Sequence, residues 1–106
     1  MLFEKEEKKM NQEIINAIRN KKMIEFDYRG HHRIAEPHVY GRNGSVEQIL
    51  VYQVGGSSSS GGLPEWRRVN VPDMSHLVVL EDSFAGNRPN PSGQHSRWDE
   101  TYEIVS

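Results

Sequence analysis

At 106 residues and 12.2 kDa, with a formal net charge of −2, the chain has material for one domain with a modest core. The absence of cysteine excludes disulfides, thiolate metal sites and cysteine nucleophiles, and it suits a reducing compartment. No stretch approaches the ~20 apolar residues of a membrane-spanning helix, and the N-terminus lacks the apolar run of a signal peptide, so a cytoplasmic protein without membrane attachment is expected.

The opening Glu4-Lys5-Glu6-Glu7-Lys8-Lys9 reads as a charged lead-in over residues 1–10. Asn11 then suits a helix cap, and Ile14, Ala17 and Ile18 supply an apolar stripe, extended backward by Met10. A helix of about two to three turns is marginal alone, so its stripe is expected to pack on a sheet. From Met23 the period changes: Ile24, Phe26 and Tyr28 alternate with Glu25 and Asp27, the pattern of a strand with one buried face. Gly30 provides a permissive turn position. The following strand, residues 33–40, contains Pro37, which has no N–H to give a ladder and marks an edge, a bulge or the end of pairing.

Asn43-Gly44 signals a turn. Residues 48–54 follow as a strand apolar on both sides, central or covered on both faces. The run Gly55-Gly56-Ser57-Ser58-Ser59-Ser60-Gly61-Gly62 has the composition of a linker. A boundary here would leave too little core on its far side, so a long mobile hairpin loop is expected. Residues 66–71 and 77–80 form two more strands around a turn at residues 72–76. After a polar stretch, Trp98, Tyr102, Ile104 and Val105 provide either a terminal strand or an oligomer contact within an extension over residues 85–106. One helix and five short antiparallel strands make an α+β domain over residues 11–84, whose sheet can close into a small barrel and hide its edges.

Charge is unevenly spread. Residues 14–42 hold six basic and three acidic side chains, whereas residues 81–106 hold five acids against Arg88 and Arg97. A basic face and an acidic tail can thus coexist, available to a ligand, to each other within the fold, or to a partner across a dimer. Arg33 has a planar guanidinium suited to phosphate or carboxylate, the alternatives being a solvated arginine or a partner for Glu36. Arg67 and Arg68 fall on opposite faces of their strand, so only one of them is expected to join Arg33. Tyr28, Tyr40 and Tyr52 offer rings for stacking on a base, or else pack at the core edge; Trp66 reads as an anchor. His31, His32 and His38 lack metal-ligand spacing, and Glu36-Pro37-His38 has an acid–base pair without a nucleophile, so neither a metal nor an enzyme is expected.

In order and spacing, Ile14-Ile15-Asn16-Ala17-Ile18, Met23-Ile24-Glu25-Phe26-Asp27-Tyr28, Arg33, Glu36-Pro37, Ile49-Leu50-Val51-Tyr52 and the segment from Trp66-Arg67-Arg68-Val69 to Leu77 resemble the WYL domain family of bacterial regulators. The resemblance covers roughly residues 13–84. It implies a short N-terminal helix on a five-stranded, Sm/SH3-like antiparallel barrel. It also implies a non-enzymatic regulatory or sensor role for single-stranded nucleic acid or a nucleotide-like ligand, with self-association or a partner regulator and no cofactor. On that resemblance Tyr28, Arg33, Tyr52 and Arg67 are the ligand-binding groups, with His38, Tyr40 and Arg68 as additional ones. The chain departs from the pattern in two places: Leu50-Val51-Tyr52 replaces the Trp-Tyr-Leu triplet, and Asp73 stands where an arginine is common. No DNA-binding helix-turn-helix precedes the domain in this sequence, so a free-standing sensor, a partner subunit or a degenerate relative that has lost ligand recognition is expected. The alternative is a structural or assembly module with no small ligand.

Overall fold

The computed structural model describes residues 2–57, 62–88 and 97–106, with side chains from residue 9 onward. Helix α1 spans Leu2–Asn20, so it runs back through the charged segment expected to be a lead-in, and Asn11 lies inside it instead of capping it. Glutamate and lysine are good helix formers. A charged run therefore continues a helix as readily as it solvates a coil. No helix among the described residues is long and apolar enough to cross a membrane.

Six strands are described: β1 Lys22–Tyr28, β2 His31–Asn43, β3 Val46–Gly56, β4 Glu65–Asn70, β5 Met74–Ser83 and β6 Glu100–Ile104. A 3-10 turn, Val71–Asp73, joins β4 to β5. The sheet runs β4-β3-β2-β1-β5, with β6 paired to β2 off this path. All of the pairings are antiparallel.

The expectation of five strands counts one too few, because the C-terminal segment supplies β6. Nor is the sheet closed, since β4 and β5 remain the two ends of its hydrogen-bonded path. The 13-residue strand β2 explains this layout. Its first half pairs with β1 through Ala35, and its second half, from Val39 onward, pairs with β6. Gly41 permits that exchange, since a Cβ there would run into the Glu100 carbonyl and the Trp98 ring.

Local signals survive well in the hairpins. Tyr28 faces His31 across a two-residue turn in which Arg29 and Gly30 have φ of 51° and 79°. Asn43 similarly faces Val46, with Gly44 at φ 60°. Positive φ in these positions matches the twist of the flanking strands. At Pro37 two of the expected alternatives are realised: pairing with β1 has ended at Ala35 and that with β6 begins at Val39, while the pairing with β3 shifts between Pro37 and Val39 as a bulge. β3 lies between β2 and β4, the central placement its two apolar sides imply. The glycine–serine segment connects antiparallel neighbours, as a hairpin loop does; residues 58–61 lie outside the described residues.

One face of the sheet packs on α1. Ile14, Ala17 and Ile18 meet Ile24, Phe26, Ala35, Ile49, Val51 and Val69 in the core. Burying each large aliphatic or aromatic side chain contributes about 1.5–3 kcal/mol, which stabilises a helix too weak to stand alone. The other face is covered in part by the C-terminal segment, through Arg88 and Trp98.

Candidate functional site

The tight turn after Tyr28 fixes the register that places Arg33 opposite Phe26, so Arg33 projects to the same face as the core residues Phe26 and Tyr28. It is 3% exposed. Its Nη1 donates to Gln53 Oε1 at 3.1 Å and its Nη2 to the Tyr28 carbonyl at 3.3 Å. Gln53 is itself fixed, because its amide nitrogen donates to the carbonyls of Gly55 and Ser57 at 3.1 and 3.0 Å. Gly56, at φ 83°, lies opposite Arg33, and a Cβ there would strike the His32 carbonyl and the backbone of Arg33. Glycine therefore lets the end of β3 close over the arginine stem.

On β4, Arg67 lies opposite the core residue Val51 and brings a second guanidinium to this region. The Tyr28 ring completes the group, with the guanidinium carbons of Arg33 and Arg29 at 5.4 and 5.2 Å from its centroid. Together Tyr28, Arg29, Arg33, Arg67, Arg68 and Asn70 line a cleft of about 210 Å³. Burial, then repulsion from Arg67, lowers the Arg33 pKa from its ordinary value. An arginine does not discharge in proteins, so the fold holds a positive charge where it is disfavoured. Glu65 accepts a hydrogen bond from Arg67 at 2.9 Å, but no carboxylate lies within ion-pair distance of Arg33 among the described residues, and Arg33 Nε has no hydrogen-bond partner there. The chemistry of the cleft is that of an anion receptor with an aromatic wall.

Tyr52 is not part of this cleft. Its register partners are Glu36 and Trp66, and its ring lies on the face of the sheet away from α1. Trp66 meets it edge-on at 4.9 Å and the Arg88 guanidinium covers it at 3.9 Å. Arg88 also grips the buried Glu36 with two hydrogen bonds, Nε to Oε1 at 2.9 Å and Nη2 to Oε2 at 2.6 Å. His38, wholly buried at the bulge, donates from Nε2 to Glu36 Oε1 at 3.0 Å, between the rings of Trp66 and Phe84. Burial alone would raise the Glu36 carboxyl; the bonds from Arg88 and His38 outweigh it and hold the group below its ordinary value. Glu36 is thus the partner of Arg88 and not of Arg33, as three-residue spacing in a strand, which sends the two to opposite faces, requires.

Tyr40 points toward α1 and donates its hydroxyl to Glu47 at 2.9 Å; burial, then that bond, pushes the phenol pKa well up. Arg68 reaches the edge of the Arg33 cleft yet lies over the Trp98 ring at 4.0 Å. Of the two adjacent histidines, His32 joins an exposed network in which Asp27 accepts from His32 and His76 at 2.8 and 2.9 Å. Among the described residues, no three His, Asp or Glu side chains are arranged to hold a metal ion.

The sequence reading brings Tyr28, Arg33 and Arg67 to one place and misses Gln53 and Arg88. Gln53 carries a faint signal, a polar residue in phase with Ile49 and Val51; Arg88 carries none, standing in a polar stretch far from Glu36. Compared with known proteins, the chain matches no family model, no curated protein and no solved structure.

Proposed function

We propose that the chain is a non-enzymatic sensor domain of WYL type, a relative of the Sm/SH3-like barrels, that takes single-stranded nucleic acid or a nucleotide-like ligand in the Arg33–Arg67 cleft. The observation that carries this reading is a buried arginine held by neutral acceptors beside a second arginine. In this reading Arg33 and Arg67 hold phosphate and Tyr28 offers the ring. Tyr52, engaged by Trp66 and Arg88, supports the sheet instead of stacking on the ligand. Asp73, exposed on the 3-10 turn, does not line the cleft.

Labelled single-stranded DNA, RNA and nucleotides titrated at two salt concentrations test it. Saturable binding that weakens with salt is expected, and Arg33→Gln combined with Arg67→Gln should cost about tenfold or more in affinity. No saturable binding across the panel ends the proposal, and undiminished affinity in a folded double variant ends the residue assignment. A second reading, assembly with another copy through β6, is favoured by the exposure of Tyr102 and Ile104 on that strand. Sedimentation of the native chain and of Ile104→Glu decides it, since monomers in both cases remove it.

A further inference from the structure

A second concavity, of about 430 Å³, lies between α1, the β2–β3 turn and the 3-10 turn. Its lining is more apolar than that of the arginine cleft. Met10, Val71, Pro72 and Met74 give it an apolar wall, and methionine thioethers adapt to ligands of differing shape. Its polar end is formed by Asn11, Arg42, Ser45 and Glu47.

Glu47 stands directly opposite Arg42 across the β2–β3 ladder, where an ion pair is the usual outcome. Arg42 lines the same groove but is not paired with Glu47: its guanidinium donates to the Gly44 carbonyl at 2.5 Å and to Glu100 of β6 at 3.3 Å, which matches its charge outside the groove. The half-buried Glu47 is left with two neutral donors on one oxygen: the Tyr40 hydroxyl at 2.9 Å and the Asn11 amide at 3.4 Å, both on Oε1. Neither neutralises it. No donor and no cation among the described residues reaches Oε2, so a carboxylate positioned by its neighbours meets an apolar-walled groove with its charge unmatched.

We propose that this groove binds a small organic cation, a primary ammonium group carried on an apolar body of several carbons. The ammonium donates to Glu47 and the hydrocarbon lies along Met10, Val71, Pro72 and Met74. Charge complementarity selects this occupant over an apolar molecule or an anion, since an ammonium replaces the counter-charge that Arg42 has given to Glu100. The site is independent of the anion cleft.

The test uses the full chain with ¹³C-labelled methionine methyl groups, followed by NMR during titration with n-hexylamine, n-hexanol and hexanoate at neutral pH. The amine should shift the Met10 and Met74 methyl signals saturably, leave Met23 unmoved, and bind about tenfold more tightly than the alcohol. Hexanoate should bind no better than the alcohol. Glu47→Gln, which keeps an acceptor for Tyr40 and Asn11, should reduce the amine to the affinity of the alcohol. Should that variant fail to fold, Ser45→Lys on the exposed turn brings an internal ammonium to the groove and should weaken the amine in the same way. Equal affinity for amine and alcohol, preference for hexanoate, absence of a saturable shift, or undiminished amine affinity in either folded variant overturns the proposal.

Discussion

Arg33 and Arg88 are the same side chain put to opposite uses on the two faces of one sheet. Arg88 comes from the C-terminal segment and closes on Glu36 with two charge-assisted bonds, roofing Tyr52 as it does so. That bond, against some cost of burial, raises its pKa, so the fold and the charge support each other. Arg33 is buried with neutral acceptors and a like charge beside it, and its pKa falls. A guanidinium that already has a carboxylate contributes to stability; one placed without a carboxylate keeps its electrostatic capacity for something else.

The largest test of this contrast is on Glu36. Replacing it with alanine leaves His38 buried without its acceptor and releases Arg88, and chemical denaturation should show a loss of about 3 kcal/mol. The same group sets an acid limit. Its folded pKa lies below the unfolded value near 4.5, so its contribution is complete above pH 4.5 and lost as the pH falls through the lower folded value. Denaturation of Glu36→Gln across that range should lack this component of the slope. Next in size is Arg88→Met, expected to cost about 2 kcal/mol through two lost hydrogen bonds to a charged acceptor, with the proposed anion binding at the other face unaltered. Arg33→Met should reverse the balance. Its stability should stay within about 1 kcal/mol of the native chain, because lost hydrogen bonds are offset by relief of a buried, repelled charge, while salt-sensitive anion binding falls. A large destabilisation would place Arg33 in the same class as Arg88.

The smallest effect is confined to the exposed network at the edge of the arginine hairpin. Hydrogen bonds to Asp27 and Glu25 raise the His32 pKa above its ordinary 6.5. What this contributes is present in full below pH 6.5 and fades as the pH rises through the raised value. NMR titration of Asp27→Asn should move the His32 midpoint downward with little change in stability.

The legible parts of the molecule are those in which neighbours in sequence determine neighbours in space. Ile24, Phe26 and Tyr28 alternate because one side of β1 faces a helix, and both glycine-bearing turns fix their registers locally. The start of α1 was not legible, since Asn11 before an apolar stripe has the form of a cap whether or not the backbone is already helical. Within the candidate site, residue type marks Arg33 as an anion-binding candidate and alternation allows only one of Arg67 and Arg68 to join it; the choice of Arg67 comes from the resemblance. The roles of Tyr52 and Arg88 depend on a contact spanning a polar stretch with no periodicity, and Glu47 shows its unmatched charge only once Arg42 is seen turning toward β6.

The division of β2 between two partners also orders events in time. Its pairing with β1 closes a two-residue turn, whereas its pairing with β6 must bring together segments far apart in the chain, after the entropy of a long loop has been lost. Strand β6 is therefore expected to join β2 after the β1–β2 hairpin has formed. Substitutions along Thr101, Glu103 and Ile104 should speed unfolding more than they slow folding, which makes the C-terminal strand a determinant of how long the native state lasts.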